Sequence, residues 1–268
     1  MKRIIALVLC VVFVAFSLAS CELLGGESVT VDEAKAAFAE AIEALASENS
    51  YKSETKIEFV TENEEMNSLI ESVGGNGITV WRDGDNFKAE YAAVIGDKDV
   101  KISYVLVEDK LYRDILLYVG DDRAVLAQEC ADFSEGDKST VLRDAGAGVG
   151  ISLDDFESIT PSLSKGKLKI SATGINKSAA DSLVNILKGR FSGSGASVII
   201  SDDIGYSAVI EGGKISSTSI SCNYTVIIGG ETYVLDAVIT ESYTYTKTSV
   251  SAPSGAANYA EVELDKLI

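Results

Sequence analysis

Residues 78–95, ITVWRDGDNFKAEYAAVI, carry the clearest structural signal in the sequence. Two runs of β-forming residues flank Asp83-Gly84-Asp85, a turn signal that joins neighbouring strands in a hairpin. After the turn, Phe87, Ala89 and Tyr91 alternate with polar or charged residues. A period of two residues places the apolar side chains on one face of a sheet. The segment therefore predicts an antiparallel strand pair with one buried face.

The same alternation continues towards the C-terminus. Val100–Val107 and Leu111–Val119 follow the turn segments Gly96–Asp99 and Glu108–Lys110, and Ala124–Ala127 forms a further short run. Short polar turns between alternating runs are typical of an antiparallel meander. We therefore expect neighbouring strands in the chain to be neighbours in the sheet.

The second half of the chain ends in two long strands. One contains Ile220–Ile228 and the other runs from Tyr233 to about Val250, with Gly229-Gly230 between them. Strands of this length joined by a tight turn suit a strongly twisted sheet. The predicted fold class is α+β, a single curved antiparallel β-sheet in a half-open barrel with helices packed on the concave face.

Two segments have helical spacing. Residues 32–47 carry apolar residues at helical spacing that lie on one face, and Thr30 or Asp32 can cap the N-terminus; this face contains Ala34, Ala37, Phe38, Ala41, Ile42 and Leu45. Residues 177–190 form a second amphipathic segment. Because both apolar faces are narrow, these helices could leave an apolar cavity against the sheet, or the sheet side chains could fill it.

The N-terminal segment indicates export. Lys2 and Arg3 precede an apolar run that ends in Leu18-Ala19-Ser20-Cys21. This ending resembles the lipobox of bacterial lipoproteins, which implies that Cys21 receives diacylglycerol, becomes the first mature residue and carries palmitate-type chains. The alternative is a plain signal peptide, or a membrane helix with an incidental cysteine. We expect a signal peptide at 1–20, a lipidated tether at 21–30 and one domain at 31–268.

Composition excludes several functions. The formal net charge of −18 opposes nucleic-acid binding, and the absence of histidine excludes Ser-His-Asp and Cys-His catalysis. The acidic pairs Asp154-Asp155 and Glu64-Glu65 are more typical of solvated surface than of catalysis. Residues 146–150, GAGVG, lack the Lys-Ser/Thr that follows a phosphate loop. We predict no enzyme activity, no cofactor and no metal site.

Two cysteines remain after the signal peptide and the lipidated residue are set aside. Cys130 and Cys222 are a candidate disulfide in an oxidising compartment. A bridge requires Cα atoms within about 7 Å, which spacing along the chain does not determine. The alternative is two buried thiols that pack as small apolar side chains.

The order of elements resembles a known superfamily. A lipidated cysteine, a tether, an alanine-rich helix, a meander, a mid-chain helix and two long strands are followed by Val250-Ser251-Ala252-Pro253 and Tyr259. This order is similar to that of the periplasmic lipoprotein carriers and receptors of the Lol type and the related mycobacterial surface lipoproteins. The resemblance implies a half-open barrel with a lipid-accepting cavity. Because the Cys21 anchor would prevent free diffusion, the membrane-bound receptor type fits better than the shuttle.

The sequence thus predicts a lipoprotein held by Cys21 on the extracytoplasmic side of a bacterial membrane, in the cell envelope. Its expected function is non-enzymatic binding of an acyl chain or another apolar ligand. The predicted cavity residues are Phe87, Tyr91, Tyr104, Leu106, Tyr224 and Leu235. The alternative function is an envelope-assembly protein that binds a protein partner through its acidic exterior or the Tyr243/Tyr245 region, over a filled core.

Overall fold

A computed structural model describes residues 28–64, 67, 77–95, 98–133, 151–176, 179, 197–200, 204–228 and 230–267. The predicted signal peptide and Cys21 lie outside the described residues. So do the 146–150 segment and nearly all of the second predicted helix.

The described elements are one α-helix, thirteen strands and three short 3-10 turns. In chain order they are α1 Val31–Ser47, β1 Ser50–Val60, β2 Gly77–Asp83, β3 Asn86–Ile95, β4 Lys98–Val107, β5 Lys110–Val119, β6 Asp122–Asp132, η1 Leu153–Asp155, β7 Phe156–Ser164, β8 Lys167–Ile175, β9 Ser197–Ile200, β10 Gly205–Glu211, β11 Lys214–Ile228, β12 Glu231–Thr244, η2 Ala256–Asn258, β13 Ala260–Glu261 and η3 Leu264–Lys266.

The strands belong to one curved sheet. The strand order is β13-β6-β5-β4-β3-β2-β1-β12-β11-β10-β8-β7, and β9 pairs with β11 beside β10. All these pairs are antiparallel except β13 with β6, so the predicted antiparallel sheet is confirmed and its edge is mixed. The sheet is not closed into a barrel. The half-open barrel with helices on its concave face stays a prediction beyond that.

Strand β1 joins the two halves of the chain. It pairs with β2 along Ser50–Lys56 and with β12 along Lys52–Val60. The N-terminal meander β2–β6 and the C-terminal strands β7–β12 therefore meet across a single strand. This explains how both halves become one sheet although they are far apart in sequence.

The pairing register places one set of alternating side chains on a continuous face, which we call the inner face. Leu111 pairs with Leu106, which pairs with Phe87, and further along the sheet Val80 pairs with Ser53. The same face continues across the remaining strands through Tyr243, Ile239, Ile220, Tyr206, Ala172 and Ile170. The opposite side of the sheet is the outer face.

Helix α1 covers the C-terminal half of the inner face. Thr30 and Glu33 form a capping box at its start, as the sequence predicts for Thr30. Four of the six residues on the predicted apolar face are buried, namely Ala34, Phe38, Ala41 and Leu45, whereas Ala37 and Ile42 are only partly buried. They pack with side chains of β7, β8, β10, β11 and β12 in one cluster, which we call the helix-side core. This part of the inner face is filled.

An aromatic group anchors the helix on the sheet. The rings of Phe38 and Phe156 lie 5.9 Å from that of Tyr206. Burial, with the charge of Glu241 as a smaller cause, raises the pKa of the Tyr206 hydroxyl. Tyr206 therefore packs as a neutral core side chain.

Strand β12 is shorter than predicted, because it ends at Thr244 and not near Val250. Its last pair with β1 is Thr244 with Lys52, and β1 begins only two residues further on, at Ser50. Beyond that point the chain bonds to the start of β1 and the end of β2 instead. The Thr248 hydroxyl donates to the Arg82 carbonyl, and the Val250 amide donates to Asp83 Oδ2 at 3.2 Å.

The region between residues 131 and 165 also contains more structure than its pattern indicates. β6 continues to Asp132, and β7 begins at Phe156. The Ser152 side chain caps η1 by accepting from the Asp154 amide. The sequence analysis does not predict β7, because buried and exposed residues do not alternate regularly along this strand.

Candidate functional site

A second apolar cluster lies on the inner face of the N-terminal meander. Its buried members are Val80, Phe87, Ala89, Leu106, Leu111 and Phe133, and we call it the meander core. Ile78, Tyr91, Tyr104 and Leu264 pack against it and are only partly buried. Leu264 comes from the C-terminal turn η3, so the end of the chain helps to cover this cluster.

The C-terminal segment reaches the inner face by wrapping around the β6 edge of the sheet. Residues 259–267, which we call the clasp, begin on the outer face with Tyr259. Its hydroxyl donates to both carboxylate oxygens of Asp114 at 2.7 Å, and Gln128 Nε2 donates to Asp114 Oδ1 at 3.0 Å. The Tyr259 ring also packs edge-on against Tyr112, with centroids 5.5 Å apart.

The clasp then crosses the sheet edge. β13 pairs with β6, and the Val262 amide donates to the Cys130 carbonyl at 2.9 Å. Past the edge, the Leu267 carbonyl accepts a hydrogen bond from Arg113 Nη1 at 3.1 Å. Arg113 is an inner-face residue, because it pairs with inner-face Tyr104, and it also forms an ion pair with Glu129. The clasp thus forms hydrogen bonds on both faces of the sheet at β5 and β6.

Replacing Tyr259 with phenylalanine should loosen the clasp. Burial, followed by the hydrogen bond to Asp114, raises the pKa of the Tyr259 hydroxyl, so it remains a donor at neutral pH. Losing a hydrogen bond to a charged acceptor should lower the free energy of unfolding by about 1.5–3 kcal/mol in urea denaturation. The comparison is Tyr118→Phe, because Tyr118 lies on β5 like Asp114 but takes no part in these hydrogen bonds. Equal effects of both substitutions would contradict this role of Tyr259.

Beyond the meander core, the inner face carries a row of half-buried apolar side chains. Ile78 pairs with Tyr91, Tyr91 with Ile102, and Ile102 with Ile115, so one residue from each of β2–β5 lies in line. We call these four residues the apolar row. None of the four is fully buried, and Ile102 and Ile115 lie outside the meander core. Three strand spacings give the row a length of about 14 Å.

Aromatic packing fixes one part of the row. The rings of Tyr91 and Tyr104 lie 5.9 Å apart at an interplanar angle of 84°. An edge-to-face pair of this kind holds both rings in defined positions. The row therefore presents an apolar surface in which the Tyr91 ring has a defined position, and such a surface suits an extended hydrocarbon chain more than a polar or charged ligand.

The structure separates the six predicted cavity residues. Phe87 and Leu106 are fully buried in the meander core, and the prediction that they line a ligand cavity stays a prediction. Tyr91 and Tyr104 are half-buried beside them. Leu235 packs in the helix-side core, four strands from Leu106, and the side chain of Tyr224 lies outside the described residues.

Three residues of the apolar row were missed as candidates: Ile78, Ile102 and Ile115. All three occupy inward positions of strands, which the alternation shows. The sequence carried no signal that these positions are partly uncovered, because the covering segment is remote in the chain.

The candidate disulfide between Cys130 and Cys222 is wrong. Both are buried thiols, Cys130 in β6 and Cys222 in β11. Six strands lie between β6 and β11 in the order of the sheet, and only Cys222 belongs to the helix-side core. The two residues therefore pack as small apolar side chains in different parts of the sheet.

The acidic residues considered for catalysis have structural roles where they are described. Asp154 forms an ion pair with Lys35 at 2.6 Å. Asp155 accepts from the Ser152 amide at 3.3 Å and from Asn176 Nδ2 at 2.9 Å. Of the other pair, Glu64 is exposed and Glu65 lies outside the described residues. Within the described ranges, no group of three or more acidic or cysteine side chains is placed to hold a metal ion.

The Tyr243/Tyr245 region, one of the two surfaces considered for a protein partner, is largely covered, since Tyr243 is buried and Tyr245 is partly buried. Tyr243 is buried in the helix-side core. The Tyr245 hydroxyl donates to the Ile215 carbonyl at 2.6 Å, and burial, with the charge of Glu48 next in importance, raises its pKa to about 12. Neither side chain is presented to solvent as a contact patch.

In the part of the chain that the structure covers, no helix has the length and apolar character needed to cross a membrane.

No protein-family model matches the sequence, and no curated protein matches it. Among solved structures, the lipoprotein LppX of Mycobacterium tuberculosis is similar with 14% identity and a TM-score of 0.41, covering 84% of this chain and 100% of its own. The ywiB protein of Bacillus subtilis has 8% identity and a TM-score of 0.19, with 72% and 91% covered. An N-terminal dehydratase from the difficidin assembly line has 9% identity and a TM-score of 0.13, with 79% and 83% covered.

Proposed function

We propose that this protein is a non-enzymatic lipoprotein, held at Cys21 on the extracytoplasmic face of a bacterial membrane, that binds an acyl chain or similar apolar ligand. The ligand lies on the inner face along the apolar row. The observation that carries this proposal is the row itself, in which one half-buried apolar side chain from each of β2–β5 lies in register.

Two further features support an apolar ligand. Directly beside the row, the inner face of β2–β5 is apolar and filled, so a bound chain would extend an existing core. The nearest ion pair on this face, Arg113 with Glu129, is covered by the clasp and bonded to Leu267. A hydrocarbon along the row would therefore meet apolar side chains without displacing a charged group.

Replacing Ile102 with serine should weaken binding of a fluorescent fatty acid about tenfold or more. The substitution removes apolar contact worth about 1.5–3 kcal/mol from the middle of the row and adds a hydroxyl. Binding is measured by fluorescence titration of the chain from Glu22 onward, with circular dichroism to confirm that both forms are folded.

Ile227→Ser is the matched control for this substitution. Ile227 is also a half-buried strand isoleucine, but it alternates with inner-face Val226 and so lies on the outer face. Its replacement should leave probe affinity unchanged. If the parent binds no probe, or if both variants lose affinity equally, the apolar row is not the site, and a partner-binding role becomes the better explanation.

A further inference from the structure

The sheet has two distinguishable ends, which helix α1 connects. Near its start, Lys35 pairs with Asp154, which lies just before β7, and near its C-terminus Glu48 pairs with Lys214 at the start of β11. In β8 the same two ends are marked by Ile175, which pairs with Phe156, and by Lys167, which pairs with Glu211. Residue 28, which lies just before α1, is therefore at the Ile175 end of the sheet, and we call this the tether end.

The tether end of the outer face carries exposed apolar side chains. Val60 is 63% exposed, Val234 60%, Ile199 55% and Val238 37%. The register makes them neighbours, because Val234 and Ile199 both pair with Thr225, and Val60 pairs with Asp236 between the two β12 valines. We call these four apolar residues the valine patch.

One polar pair, Asn223 with Asp236, lies inside the patch, and its carboxylate accepts a hydrogen bond. Asn223 Nδ2 donates to Asp236 Oδ1, which partly satisfies this charge at the surface. The acidic residue Glu58 pairs with Val238 and so also lies inside the patch, Glu62 lies two residues beyond Val60, and both are exposed. A surface of this kind suits an apolar partner without strong negative charge, since a negatively charged one would be repelled.

The length of the tether limits how far a membrane can be from the patch. Residues 21–27 connect Cys21 with the first described residue and reach at most about 25 Å when extended. The proposed anchor would thus hold the tether end, and not the opposite end, next to the bilayer. The apolar row lies on the same side of the meander core, near Gly77, where β2 begins.

We infer that the valine patch rests on a phospholipid bilayer without net charge and orients the protein with its tether end in the membrane surface. This rests on the proposed anchoring at Cys21. In this orientation, the ligand of the apolar row is a lipid of that same bilayer, which reaches the row from the tether end while the clasp covers the meander core on the opposite side.

The test uses the full lipidated protein in phosphatidylcholine vesicles, with a single thiol-reactive fluorophore. Val234→Cys places the label in the patch, and Ser242→Cys places it on the same strand and face, about 27 Å nearer the opposite end. Cys130 and Cys222 are only 2% and 4% exposed, so labelling of the parent protein gives a low background. Phosphatidylcholine with brominated acyl chains quenches fluorophores that contact the bilayer interior.

The label at residue 234 should show emission about twofold lower in brominated than in ordinary vesicles, while the label at residue 242 remains unchanged. Equal emission at residue 234 in both vesicles, or equal quenching at both positions, would overturn the orientation. Flotation is measured first on the same samples. Protein that fails to float with the vesicles would overturn the Cys21 anchoring itself, and with it this surface. Fatty-acid binding to the apolar row is measured in a separate experiment, the fluorescence titration described above.

Discussion

Replacing Cys21 with serine should abolish acylation and leave a precursor that is not cut before residue 21. The lipobox resemblance assigns the lipid to this thiol, and a hydroxyl cannot replace it as the attachment point. Two or more acyl chains hold a protein stably on a membrane, at about 0.8 kcal/mol per buried methylene. The expected change is therefore all-or-none, and it is read by the mass of the intact protein and by metabolic labelling with palmitate.

A matched control separates this effect from a general failure of export. Ser17→Ala changes a neighbouring residue of the same segment but retains Leu18–Cys21. It should be acylated and cut like the parent. A Cys21→Ser protein that is processed normally and partitions with membranes like the parent would show that residues 1–20 are an ordinary signal peptide.

Replacing Leu106 with alanine should lower the free energy of unfolding by about 2–5 kcal/mol. Leu106 has no exposed surface and is surrounded by Phe87, Leu111 and the rest of the meander core. Removing its branched end leaves a cavity, because neighbouring strands are fixed by their hydrogen bonds and cannot collapse into it fully. Urea denaturation measures the change as a lower midpoint at an unchanged slope.

The control for this substitution is Leu126→Ala. Leu126 is 58% exposed and is the extra residue of the β-bulge in β6, so its loss should change stability by no more than about 0.5 kcal/mol. The comparison decides between a core and a cavity. A stable Leu106→Ala protein with weakened fatty-acid binding would mean that Leu106 lines a ligand cavity and is not packed in a filled core.

Local patterns in the sequence are enough to specify the local features of this fold. Period-two alternation and short polar turns set the meander β2–β5, since the side chains of one strand must share a face and a tight turn can only join antiparallel neighbours. The spacing of Ala34, Phe38, Ala41 and Leu45 set the buried face of α1, and Thr30 set its start. These signals are read within about a dozen residues, so one sequence contains them.

Which parts of the inner face are covered depends on contacts between residues far apart in the chain. Alternation shows that Leu106 and Ile102 point the same way, but not that Leu106 is covered and Ile102 is partly open. The difference comes from the clasp, whose Leu264 and Leu267 reach the inner face from the far end of the chain. Residues 245–267 show no period in the sequence, because they are fixed by individual hydrogen bonds to the sheet and not by a repeating pattern.

The same reason explains why the candidate disulfide is wrong and why the predicted cavity residues lie in separate cores. Cys130 and Cys222 would both lie in an oxidising compartment, yet the strand order places six strands between them. Leu235 and Leu106 share a face, yet they belong to separate cores. Position across a sheet depends on which strands pair, and β1 joins the two halves through contacts between residues far apart in sequence. A single sequence specifies faces, whereas the pairing of distant strands specifies which residues of a face meet.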